Sequence, residues 1–107
     1  LLGQLVRNLA DNAARHSRGR VAIGVTPSGR YVFVTVEDDG SGVPADERER
    51  IFERFVRLDE ARSRDAGGSG LGLAIARGIA ASAHGTLAVD DSRWGGARFV
   101  LTLPLGD

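Results

Sequence analysis

Asp38-Asp39-Gly40-Ser41-Gly42-Val43-Pro44 closes a valine-rich run, and Gly68-Ser69-Gly70-Leu71-Gly72-Leu73 opens a run with helical spacing. Both stand in a chain of 107 residues without a single lysine. A P-loop needs a Lys after its glycines, and a eukaryotic-type protein kinase holds its phosphates with a Lys on a strand. Both solutions are closed here. Any triphosphate has to be held by backbone amides, a metal and arginines.

Working outward from the first stretch, Arg30 to Glu37 alternates as a strand, preceded by Val21, Ile23 and Val25 and a turn at Pro27-Ser28-Gly29, so a hairpin leads into the acidic glycine segment. Ahead of it, Leu2, Leu5, Val6, Leu9, Ala10 and Ala13 recur at helical spacing, while Gln4, Asn8, Asn12 and His16 form a second stripe on the same helix. Beyond Pro44, Asp46 and Glu49 offer a capping box for a short helix holding Ile51, Phe52 and Phe55. Residues 57–69 are charged and small with no apolar period, the profile of a mobile loop. Leu71 to His84 is helical again and closed by Gly85. A second hairpin pairs Thr86 to Asp91 with Ala97 to Leu103 through a turn at Ser92-Arg93-Trp94-Gly95-Gly96. The sum is one α+β domain over residues 1–107, a two-layer α/β sandwich with a mixed, mostly antiparallel sheet covered on one face by helices.

Fourteen basic and 14 acidic side chains cancel, so no long-range positive field draws in nucleic acid or another polyanion. Cysteine is absent, which removes disulfides and thiolate metal sites and suits a reducing compartment. No apolar run approaches the ~20 residues that span a bilayer, and no signal peptide opens the chain. Without a Met, Leu1 is not a natural start, so a domain cut from a longer protein is expected.

Asn8 and Asn12, four apart, project their amides from one helix face. Two aligned carbonyl oxygens suit Mg²⁺, which takes oxygen ligands and is usually completed by water and substrate phosphates. A simply solvated polar face is the plainer alternative. Asp38, at the end of a strand, needs a donor, and an exocyclic base amine would serve, with Gly40 and Gly42 allowing close backbone approach and Val43 packing on the ring. An ordinary acidic turn is the alternative. The glycines at 68–72 put amides at a helix N-terminus, an anion site. No hydrophobic strand precedes them, which argues against dinucleotide binding. His84 reads as a helix cap and Trp94 as a surface or packing residue; Ser41, Ser69 and Ser82 have no base at readable spacing, so no nucleophile is expected.

In order and spacing these segments resemble the ATP-binding catalytic domain of bacterial sensor histidine kinases, within the gyrase, chaperone and histidine-kinase ATPase superfamily and its Bergerat-type fold. Asn8 to Ala13 with Arg15 and His16 looks like the asparagine box, residues 38–44 like the first glycine box and Ile51-Phe52-Glu53-Arg54-Phe55 like the phenylalanine box. Gly67-Gly68-Ser69-Gly70-Leu71-Gly72-Leu73-Ala74-Ile75-Ala76 looks like the second glycine box, and Gly95-Gly96-Ala97-Arg98-Phe99 with Pro104 is similar to the closing hairpin.

The resemblance implies that Asp38 accepts from the adenine amine, with Gly40, Gly42 and Val43 beside the base. It also implies that Asn12 coordinates Mg²⁺ with Asn8 next to it, and that Arg15 and His16 approach the phosphates or ribose. Gly68, Ser69, Gly70, Leu71, Gly72 and Leu73 would close a lid, residues 57–69, over the triphosphate, with Arg54, Arg57, Arg62 or Arg64 neutralising phosphate charge. Hydrolytic relatives in the superfamily carry a Glu where Asn8 stands, so transfer to a histidine is implied in place of hydrolysis. The acceptor histidine would lie on a dimerisation domain outside this chain and pass its phosphoryl group to a response regulator. The domain itself would be cytoplasmic, its parent an inner-membrane or plasma-membrane sensor. An anti-sigma-factor-type serine kinase and a nucleotide sensor without transfer activity are the alternatives. The family commonly has an aromatic at the position of His16 and a second Gly at that of Thr86, and its first strand is expected ahead of Leu1.

Overall fold

A computed structural model describes residues 2–53 and 72–105. In chain order lie α1 (Leu2–His16), β1 (Val21–Ser28), β2 (Tyr31–Asp38), two 3-10 turns (Ala45–Glu47 and Arg50–Phe52), α2 (Gly72–Ser82), β3 (Thr86–Asp91) and β4 (Ala97–Pro104). The α+β order is the one expected. The strands form one sheet, β1-β2-β4-β3, and each described pairing is antiparallel. The expected lid at 57–69, together with Phe55, lies outside the described residues.

On α1, Leu5, Leu9 and Ala13 are buried at four-residue spacing, which makes one stripe face the sheet. Asn8 and Asn12 sit one position before Leu9 and Ala13 and are half-buried on the flank of that stripe. The second helix, α2, contributes Ala76, Ile79 and Ala80 and packs against both α1 and β3.

Register decides which sheet face the helices cover. Val89, Phe99 and Val36 stand side by side across β3, β4 and β2, and Leu87, Leu101 and Val34 form the next row. Five of those six are buried core residues of the helix-covered face, and Val34 packs partly against them. The rows continue onto β1 through Ile23 and Val25, yet these are 53% and 65% exposed. Alternation along β1 therefore reports its face correctly but not its burial, because the helix layer stops short of that edge.

Three local expectations change. Pro27 does not turn the chain: β1 runs through it to Ser28. An edge strand tolerates this, since proline lacks only a donor that no neighbour needs. The capping box at Asp46 and Glu49 does not form, because Asp46 lies inside the first 3-10 turn, which Pro44 opens without a side-chain cap. Glu49 instead pairs with Arg77 of α2, 3.0 Å away. At the end of α2 the left-handed residue is His84, φ 63°, and not Gly85. The His84 amide donates to the Ala81 carbonyl at 3.0 Å and the Gly85 amide to that of Ala80 at 2.8 Å, the double closure of a Schellman turn.

A non-glycine residue in that conformation costs about 1 kcal/mol. His84→Gly is expected to stabilise the fold by about 0.5–1 kcal/mol in urea denaturation, glycine's greater unfolded-state freedom offsetting part of the gain. A loss of stability would contradict this account of the turn.

Candidate functional site

Asp38 ends β2 on the helix-covered face and is 1% exposed. A carboxyl so buried needs hydrogen-bond donors. Its Oδ1 accepts from the amides of Gly40, 2.8 Å, and Ala97, 3.3 Å. Among the described residues no hydrogen bond reaches Oδ2, and no buried polar side-chain atom among them lacks a partner, which makes Oδ2 the open side of the group.

Close backbone approach frames this carboxyl. A β-carbon on Gly40 would overlap the His16 carbonyl, and one on Gly96 would overlap both the carbonyl and Oδ1 of Asp38. The end of α1 thus closes on Gly40, and the β3–β4 turn closes on Asp38 itself. Gly42 follows with φ 77°, and Val43 packs partly against the core while its carbonyl accepts from Arg48 Nε at 3.2 Å.

Asp39 points the other way. Its Oδ1 accepts from the amides of Arg18, 2.6 Å, and Arg20, 3.2 Å, tying the α1–β1 turn to the end of β2. Desolvation at the turn pushes the Asp39 carboxyl up, but these amides outweigh it and hold the group below its ordinary value.

The Asn8 amide nitrogen donates to the Gly72 carbonyl at 3.5 Å, a long bond that reaches from α1 to the first residue of α2. Its carbonyl oxygen remains as an acceptor. Gly72 is exposed and Leu73 packs partly against the core. Arg15 and His16 are exposed at the end of α1. The structure thus brings Asn8 to Gly72 at the start of α2, and, at the end of α1, His16 to Gly40 and Gly40 to Asp38; Asn12 lies between these two places on the same helix flank. Arg54, Arg57, Arg62, Arg64, Gly68, Ser69, Gly70 and Leu71 lie outside the described residues.

Sequence reasoning missed two supports. Ser92 is buried, and its hydroxyl donates to the Asp38 carbonyl at 2.6 Å. Its signal was a Ser opening a glycine turn, a pattern of local hydroxyl-to-amide bonding. Arg77 lies 4.2 Å over the Phe52 ring, which meets Phe99 edge-on at 6.1 Å, so the second 3-10 turn is clamped between α2 and β4. Trp94, read as a surface or packing residue, is half-buried with Arg93 4.8 Å and Arg20 5.9 Å from its ring.

Residues 1–107 match the family described as histidine kinase-, DNA gyrase B- and HSP90-like ATPase. The chain belongs to this family. Sensor protein RstB of Escherichia coli is 46% identical over 105 residues, covering 98% of this chain and 24% of its own length. Sensor histidine kinase CpxA of Escherichia coli is 41% identical over 104 residues, covering 97% and 23%. The solved structure of full-length ShkA in complex with AMPPNP superposes at a TM-score of 0.83 with 36% identity, covering 96% of this chain and 21% of that one. The ATP-binding domain of PrrB from Mycobacterium tuberculosis gives 0.71 with 31% identity, covering 97% and 65%. The chain is therefore an ATPase domain of the histidine-kinase type, and it spans about a quarter of the length of the curated relatives it matches. No helix among the described residues is long and apolar enough to cross a membrane.

The lowered pKa of Asp39 fixes a sign. A carboxyl whose folded value lies below its unfolded value adds stability that is complete above the unfolded pKa, about 4, and is lost as pH falls through the folded one. Asp39→Asn should flatten the acid limb of a stability-against-pH curve below about pH 4 while leaving fluorescence and circular dichroism native at pH 7. An unchanged acid limb would remove Asp39 as a contributor.

Proposed function

We propose that this domain binds Mg-ATP and presents its γ-phosphoryl group to a histidine on a dimerisation domain of the parent sensor kinase, from which it passes to a response regulator. The observation that carries the reading is the carboxyl of Asp38, with Oδ1 held by two amides and no hydrogen bond to Oδ2 among the described residues. An acceptor fixed in this way suits the exocyclic amine of adenine. Gly40, Gly42 and Val43 would line the base.

The donor set also fits a magnesium ion. Asn8 and Asn12 offer neutral amide oxygens one helical turn apart, and no cluster of three or more His, Cys, Asp or Glu residues that would hold a cation by itself occurs among the described residues. So sparse a protein contribution suits a cation whose remaining ligands are phosphates and water. When bound, the ion would neutralise phosphate charge. Asn12 would hold it, Asn8 would flank it and keep the start of α2 in place, and Arg15 and His16 would face the phosphates or ribose. Arg57 and the glycines at 68–72, with Leu71 and Leu73, would close over the triphosphate.

Asn8 bears on the acceptor. An amide does not take a proton at neutral pH, so it cannot activate water, whereas an imidazole brings its own lone pair. Positioning and charge are then the domain's contribution to transfer. Similarity to the sensor histidine kinase CpxA favours this reading over an anti-sigma-factor-type serine kinase. The domain would be cytoplasmic and its parent an inner-membrane or plasma-membrane sensor.

Asp38→Asn keeps the two bonds to Oδ1 but turns the open acceptor into a donor that opposes the adenine amine. Calorimetry with Mg-ATP should show a loss of about 10- to 100-fold in affinity with the fold retained, and an unchanged affinity would overturn the adenine assignment. For Asn12→Ala, the gain in ATP affinity on adding Mg²⁺ should shrink to within about twofold of none. Retention of the full magnesium dependence would exclude Asn12 as its ligand.

A further inference from the structure

Asp38 and Ser92 are the two buried polar side chains among the described residues, at 1% and 7% exposure, and the Ser92 hydroxyl bonds the backbone of Asp38 across 54 positions of sequence. A hydroxyl has one donor and two acceptor sites, and Ser92 fills all three. It donates to the Asp38 carbonyl at 2.6 Å and accepts from the amides of Trp94, 3.1 Å, and Gly96, 3.0 Å. The next amide after Gly96 is that of Ala97, which donates to Asp38 Oδ1. Ser92 therefore holds both ends of a short loop of bonds: the peptide after Asp38, and the turn whose amide fixes the carboxyl. The turn is also braced by the Ser92 amide on the Gly96 carbonyl at 2.9 Å and the Gly95 amide on the Ser92 carbonyl at 3.1 Å. Because Gly96 has no β-carbon, the turn sits against Asp38 at backbone distance, so a small displacement there is transmitted directly to Oδ1.

We infer that Ser92 is a positioning residue for base recognition: its hydroxyl sets the direction of Asp38 Oδ2 and thereby the preference for a purine bearing a 6-amino group. The inference rests on the proposed role of Asp38. A purely structural role for Ser92 predicts something different, a general loosening that weakens every nucleotide alike.

The test is calorimetric titration of the 107-residue chain with Mg-ATP and with Mg-purine riboside triphosphate, which lacks the 6-amino group. Wild-type protein should prefer ATP, and Asp38→Asn should abolish the preference. Ser92→Ala should lower the preference about fivefold, the worth of one net hydrogen bond, with affinity for the purine analogue changed by less than about twofold. Ser92→Thr, which keeps the hydroxyl, should restore it. Should Ser92→Ala fail to fold, Ser92→Cys keeps the shape with a weaker donor and should show the same fall in preference. Equal losses for both nucleotides, or an unchanged ratio, would overturn the positioning role. A wild-type protein with no preference would instead overturn the adenine reading of Asp38. An intact effect of Asp38→Asn beside an unchanged ratio in Ser92→Ala would sink the Ser92 inference alone.

Discussion

Burying a carboxyl at the end of a central strand constrains everything around it. Asp38 is accommodated because backbone amides, not a cationic side chain, satisfy one of its oxygens, and those amides come from two distant segments, the loop after β2 and the start of β4. Amides reach a carboxyl only if their backbones come within van der Waals distance. That is why Gly40 lies against the end of α1 and Gly96 against Asp38 itself, each where a β-carbon would collide. The contacts that close the fold at this corner are the ones that shape the site. A larger residue at either glycine would separate two segments and release the carboxyl in one move.

The helix layer answers to the same geometry. Leu5, Leu9 and Ala13 anchor α1 over the sheet, and this fixes the azimuth of Asn8 and Asn12, one residue earlier in each turn. Both amides therefore emerge at the boundary between core and solvent. At that boundary an amide keeps part of its polar surface unburied yet is held in orientation by its neighbours. The weak bond from Asn8 to Gly72 couples α1 to the first turn of α2, and the Arg77 contacts with Phe52 and Glu49 couple α2 to the 3-10 turns. The guanidinium holds the Glu49 carboxyl below its ordinary value through a hydrogen bond and charge, but Glu49 is exposed, so the ring contact and the burial of Phe52 carry more of the attachment.

Local periodicity made most of the fold legible. The stripe on α1, both hairpins and the two-layer arrangement follow from spacing, because a 3.6-residue and a two-residue period bury different residues. What escaped depends on distance. The exposure of Ile23 and Val25 is a property of where the helices end, which β1 itself does not encode. The left-handed residue is His84, while the missing β-carbon of Gly85 leaves room for the Thr102 carbonyl of β4, a contact 17 residues away in sequence. Glu49 was read as a local cap and instead finds Arg77, 28 residues away. At the site, Asp38 and the glycines were visible as a motif, and Asn8 and Asn12 as a spacing. Ser92 was not, since its partner is 54 residues back in sequence and its own neighbourhood reads as a turn.

The chemistry of the donor set closes the connection between site and fold. Asn8 and Asn12 place amides where a carboxylate would carry charge, so the site brings no proton acceptor of its own at this point on α1. Under the proposed function, such a site would orient a phosphoryl group without generating a nucleophile, and transfer would depend on the acceptor brought to it. A domain that spans about a quarter of the length of the relatives it matches would then separate binding from transfer, with the fixed carboxyl of Asp38 serving the first and the amide at position 8 leaving the second to an incoming partner.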